Sequence, residues 1–275
     1  MRGFQRALQG EIYLWTRKRS WRLSLIGVAL LAVGRVLLGR LTSSPESAAW
    51  NFWPQFAAGT RTGLFLAELL TVVLIASSLP REISLGAARD PLVRGMSRSA
   101  FVAARSCIAV LLPLSLALAA IVGAGSAGAL LFDVGDIIEE GDVLLAVADE
   151  HLDRHVYLAI GHGMPALLAL AAVALALSAV CRHAVVAVGL ALVLILLPTF
   201  LHDPLGSAAP WFFADTLAGL GADSYLARIA QFAQGYTSAF PETFDAVIAR
   251  GWIAPWPGLI LGWALAILFF RRRAV

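Results

Sequence analysis

The sequence predicts an all-α polytopic membrane protein with six transmembrane helices, and three observations carry that expectation. Of 275 residues, 59% are hydrophobic and only 14% are charged, against about 25% charged in ordinary soluble domains. The mean hydropathy is +0.79. Six stretches, residues 22–41, 60–80, 101–131, 157–180, 184–202 and 252–270, match the ~20 apolar residues that a helix needs to cross a hydrocarbon core of ~30 Å. So little charge cannot cover a soluble exterior. In lipid the backbone must satisfy itself within each segment, so every stretch is expected to be a helix.

The elements follow in order along a single transmembrane domain, 1–275. Residues 1–21 place Phe4, Leu8, Ile12 and Trp15 at helical spacing with Arg6, Gln9 and Arg17 between them. This pattern predicts an interfacial helix lying on one leaflet. The third span contains Pro113, where a kink is expected. Residues 82–98 form a loop between the second and third spans, and 132–156 an acidic loop between the third and fourth. The segment 203–250 is too long for a bare loop in a compact domain. Within it Phe212–Leu220, Asp223–Gln234 and Pro241–Ala249 read as short amphipathic helices before the last span. Trp211, Trp252 and Trp256 suit one membrane interface, and Trp15 and Trp21 the other.

The basic residues give the orientation. They collect in the N-terminal segment, in 81–105, at Arg182 and at the C-terminal Arg271, Arg272 and Arg273. Six spans put all four segments on one side, which the positive-inside rule makes the cytoplasm, with both termini there. The net charge of +3 therefore reports topology, and no nucleic-acid partner is expected. Cys107 and Cys181 read as free thiols. A polar, basic start without a short apolar core and cleavage site predicts an uncleaved first span.

The loop Pro80–Arg98 (PREISLGAARDPLVRGMSR) is the most informative stretch. Glu82 is followed four positions later by Gly86 and Ala87. The apolar pair Leu92 and Val93 comes next, then Ser97 and Arg98, then Arg105 opening the next span. These spacings resemble the corresponding loop of ABC-2 type permeases, the membrane subunits of bacterial ABC exporters. The N-terminal segment with Glu11 and the Arg17-Lys18-Arg19 cluster, and the turn Leu177–His183, are similar too. Pro91 and Met96 depart from the family pattern, and Pro91 predicts a coupling segment split in two. The resemblance implies a cytoplasmic coupling helix, with Glu82, Gly86, Arg89, Leu92, Val93, Arg94, Ser97 and Arg98 meeting an ATPase. It further implies two ATP-binding cassette subunits as partners and a second permease copy as a homodimer. Localisation would be the bacterial inner membrane, and the cargo a hydrophobic, lipid-like, glycan or peptide substrate.

The chain has no phosphate-binding Gly-x-x-x-x-Gly-Lys-[Ser/Thr] loop. It is expected to be no enzyme and to hold no cofactor, with ATP hydrolysis in a separate subunit. Glu68, midway along the second span, and Arg35, toward the outer end of the first, are ionisable groups at membrane depth. Such groups face protein or water. Both are candidates for a translocation path, or for a structural ion pair with Arg61 as a further partner. His151 and His155 are four apart beside Glu150 and Asp153, a thin ligand set for a metal; no metal is expected there. Ser126 in Gly123–Gly128 lacks the following glycine of intramembrane serine proteases, so the small residues read as helix packing. From another class, the alternative is a non-transporting scaffold of an envelope assembly, working through its external segments.

Overall fold

The structure, a computed structural model, describes residues 2–43, 50–86, 97–133, 145–205, 208, 211–221, 224–232 and 244–272. Every regular element among them is a helix: α1 (Arg2–Arg17), α2 (Arg19–Thr42), α3 (Phe52–Ala76), α4 (Ser78–Ser84), α5 (Arg98–Leu131), α6 (Leu145–Val180), α7 (Ala184–Leu205), α8 (Tyr225–Phe232), α9 (Phe244–Ile253) and α10 (Pro255–Arg272). Five helical stretches are long and apolar enough to cross a membrane: Arg19–Thr42, Phe52–Ser84, Ala100–Leu131, Val156–Val180 and Ile248–Phe270. A shorter apolar stretch, Ala184–Leu197, lies in α7. The chain is a helical membrane protein.

Three boundaries differ from the sequence reading. α3 begins at Phe52 rather than residue 60, where the Asn51 side chain accepts the Trp53 N–H at 3.2 Å and caps the helix. α6 begins at Leu145, so the second half of the supposed acidic loop is helical. At 36 residues this helix is about 54 Å long, more than a bilayer core requires. Phe212–Leu220 is a run of turns instead of an amphipathic helix, with Asp215, Thr216 and Leu217 each donating to the carbonyl three residues back. Pro113 lies inside α5, which is assigned as helix from Arg98 to Leu131.

Helix packing follows from small residues. Without a hydrophobic driving force between helices in lipid, close backbone approach supplies the dispersion contacts. Gly63 of α3 faces Ala120 of α5 and Ala32 of α2; Gly123 of α5 lies against the Ala29 backbone of α2. Any added Cβ there would press on a neighbouring helix. α2, α3 and α5 form one group, while α6 holds α10 along its length and also touches α3, α7 and α8.

Contacts between helix ends sort the bundle into two ends. The Leu79 N–H donates to Ser178 Oγ at 3.1 Å, and the Phe101 and Phe270 rings stack at 5.3 Å. The start of α4, the ends of α6 and α10 and the start of α5 therefore share the end where α1 lies. At the opposite end the Phe52 N–H donates to the Asp133 carbonyl at 3.3 Å, and Trp53 meets Tyr157 edge-on at 5.7 Å.

Candidate functional site

The site at the α1 end is built from an arginine that no bilayer would accept alone. Arg105 sits two turns into α5 and is 5% exposed. Its Nε lies 3.2 Å from Glu11 Oε1, and its Nη2 donates to Glu82 Oε2. Glu11 belongs to α1 and is 7% exposed; Glu82 belongs to α4 and is more open. Lys18, the single residue between α1 and α2, places Nζ 3.5 Å from the other Glu82 oxygen and 4.1 Å from the Trp15 ring centroid. Four elements thus meet in one cluster of two cations and two carboxylates. Burial, with the nearby Arg105 guanidinium, pushes the Lys18 ammonium down to about 8, while Glu11 opposes the shift.

Local structure explains how the residues arrive. The buried stripe of α1 is Ala7, Glu11 and Trp15, at i, i+4 and i+8, so an acid occupies the middle of the face that meets α5. Of the Phe4, Leu8, Ile12 and Trp15 set read from sequence, Trp15 lies on that face, whereas Phe4, Leu8 and Ile12 are rotated off it and Ile12 is exposed. Glu82 follows a break in the helix at Ser77, whose N–H donates to the Val73 carbonyl. α4 ends at Ser84 with Leu85 as its cap, and Gly86 takes φ +73, a conformation that costs an L-residue and suits glycine. The chain therefore leaves the cluster at Gly86. It returns at Ser97, whose Oγ accepts the Ala100 N–H at 3.2 Å and caps α5. Arg89, Leu92, Val93 and Arg94, expected to face an ATPase, lie outside the described residues, as does the side chain of Arg98.

Glu68 sits elsewhere, and its partners are main-chain groups. It is 1% exposed in the middle of α3. Oε1 accepts the Gly219 N–H at 2.8 Å and Oε2 the Leu220 N–H at 2.7 Å. The 211–221 segment is thereby drawn down between α3 and α6, where Gly219 lies on the Leu64–Phe65 backbone and Ala218 meets Gly163. Two amides turned toward a carboxylate are withdrawn from a helical ladder, which is why this segment is not the helix expected. Glu68 is not within ion-pair distance of Arg35 or Arg61 among the described residues. Arg35 is half-buried on α2. No ion pair joins these two residues, expected from sequence on a translocation path, among the described residues.

His162 makes a second tie at this end, which sequence reasoning missed. Its Nε2 donates to the Ile248 carbonyl at 2.7 Å, and its ring meets Tyr225 and Trp252 edge-on at 5.9 and 5.8 Å. Gly251 makes room for that ring; a Cβ would overlap it. His151 and His155 lie in α6 with side chains outside the described residues, and among the described residues no group of metal-ligating side chains forms. Ser126 donates to the Gly123 carbonyl of its own helix at 3.1 Å. Cys107 and Cys181 are free thiols. No known family model matches the chain, and no curated protein matches its sequence.

Proposed function

We propose that the chain is the permease subunit of an ABC-2 type exporter, driven by a separate ATP-binding subunit. In this reading the sixth span is α7 and both termini face the cytoplasm of a bacterial inner membrane. A second copy completes the pathway. One observation carries the proposal: the loop that resembles a coupling helix is rooted at Glu82, and Glu82 is tied to both α1 and α5 through Arg105 and Lys18. A push on this loop would reach the interfacial helix and a long span together. Charged groups buried in a shared cluster transmit displacement because separating them leaves a carboxylate or guanidinium uncompensated in a low-dielectric setting. The cargo belongs to the hydrophobic, lipid-like, glycan or peptide classes that the resemblance implies.

The test is a double substitution, Leu92→Asp with Val93→Asp, in the chain co-expressed with its ATP-binding subunit. The expected outcome is loss of co-purification, with membrane insertion and yield unchanged. Undiminished association would remove the coupling role.

A further inference from the structure

Beside the Arg105 cluster lies an open cavity of about 570 Å³, within the range of pockets that hold small ligands. Four cations line it, Lys18, Arg19, Arg81 and Arg105, against the two carboxylates Glu11 and Glu82. Glu82 is engaged by Arg105 and Lys18, and Glu11 by Arg105 through Oε1 while its Oε2 is buried without a partner among the described residues; Arg19 and Arg81 are exposed at the surface. Leu14, Leu74 and Leu85 supply apolar walls. Two lining residues keep a buried donor with no acceptor among the described residues: Arg105 at Nη1 and Trp15 at Nε1. Both donors are closed to water, so they belong to the wall of the cavity and not to its open surface.

We propose that this cavity binds the phosphate headgroup of an anionic phospholipid from the leaflet on which α1 rests. The phosphate would meet Arg19 and Arg81 at the mouth, with the Lys18 and Arg105 charges behind them. Guanidinium forks match phosphate oxygens in pairs. The glycerol and first acyl carbons would lie along Leu14 and Leu74. Basic pockets between spanning helices at a membrane surface recognise anionic headgroups by this combination. The inference rests on the chain being embedded in a bilayer and not on the exporter reading.

The test uses the full chain in neutral detergent, offered phosphatidylglycerol, phosphatidylcholine or inorganic phosphate. Retained lipid is read by native mass spectrometry and Tm by tryptophan fluorescence. The wild-type chain should retain phosphatidylglycerol selectively. Arg19→Gln with Arg81→Gln should weaken retention by about twenty- to thirtyfold, from ~1 kcal/mol for each cation. Arg17→Gln should change nothing, since Arg17 stacks on Tyr13 at 4.5 Å away from the cavity lining. If the double variant loses its fold, Arg81→Gln alone should show an about fivefold loss. Equal retention of phosphatidylcholine, equal stabilisation by inorganic phosphate, or unaltered retention in the variants would overturn the lipid assignment. So would variants that lose the ATP-binding subunit while keeping the lipid, because the pocket would then be a protein-docking surface.

Discussion

The bundle buries one ionisable group at its α1 end and another midway along α3, and compensates them by different means. At the α1 end Arg105 is matched by carboxylates on two other elements, with Lys18 joining from a fourth. In the middle of α3, Glu68 is matched by two backbone amides of one segment. The first arrangement joins side chains, each with rotamers to spare, so helices can shift while staying in contact. The second fixes main chain, so the 211–221 segment has one seat. One site is suited to transmitting movement and the other to holding a plug in place.

The largest expected effect comes from breaking the first arrangement. Arg105→Leu strands Glu11 in an apolar setting and should cost about 3–5 kcal/mol, seen as a large drop in Tm and in monodisperse yield. Arg105→Lys keeps the charge but loses the fork, and should fall between. Hydrogen exchange at 211–221 should be unaffected in both, since the two sites are independent; increased exchange there would show that they are coupled. Breaking the second arrangement should cost somewhat less. Glu68→Ala leaves two buried amides without acceptors, about 2–4 kcal/mol, while Glu68→Gln keeps one acceptor and should cost roughly half of that. The readout is faster amide exchange at Gly219 and Leu220 with cross-linking between α1 and α5 unchanged.

Gly219→Ala probes the seat itself. A methyl would overlap the Phe65 backbone, which cannot rotate away, so a loss of about 1–3 kcal/mol is expected with Glu68 still in place. The smallest effect belongs to Lys18. It is the chain's one lysine, so reductive methylation gives one side-chain NMR signal, which should titrate with a midpoint of about 8. The sign follows from a folded value below the ordinary 10.5. The unfolded chain binds the proton more tightly, so stability should rise slightly as pH climbs from about 8 toward 10.5. The ammonium is 39% exposed, and solvent screening keeps the gain small.

The contrast also marks what the sequence could reveal. Five of the six expected spans were legible because apolar runs of bilayer length have few other uses. The basic segments were legible as one group, and the bundle gathers their flanking helix ends together. Glu82 and Arg105 stood out through their spacing around the loop. Glu11 entered only through the family resemblance: the apolar period of Phe4, Leu8, Ile12 and Trp15 found Trp15 on the buried face, but such a period cannot reveal a polar residue that is buried by pairing. The partners of Glu68 were beyond reach for another reason. Backbone N–H groups carry no side-chain signature, and Gly219 looks like any loop glycine. His162 carried no signal of its own, since its acceptor is the carbonyl of Ile248.

The order of synthesis gives the two buried charges different histories. Glu11 and Glu82 both precede Arg105 in the chain, so the cation leaves the ribosome after its acids and can meet them as its own helix enters the bilayer. Glu68 must wait for Gly219, 151 residues later, or roughly 8–30 s of elongation at ordinary rates. During that interval a carboxyl group sits at mid-membrane without its final ligands. The second membrane-spanning helix of the growing protein is therefore the one most in need of an insertase or a lipid defect to keep it in place until the 211–221 segment has been made.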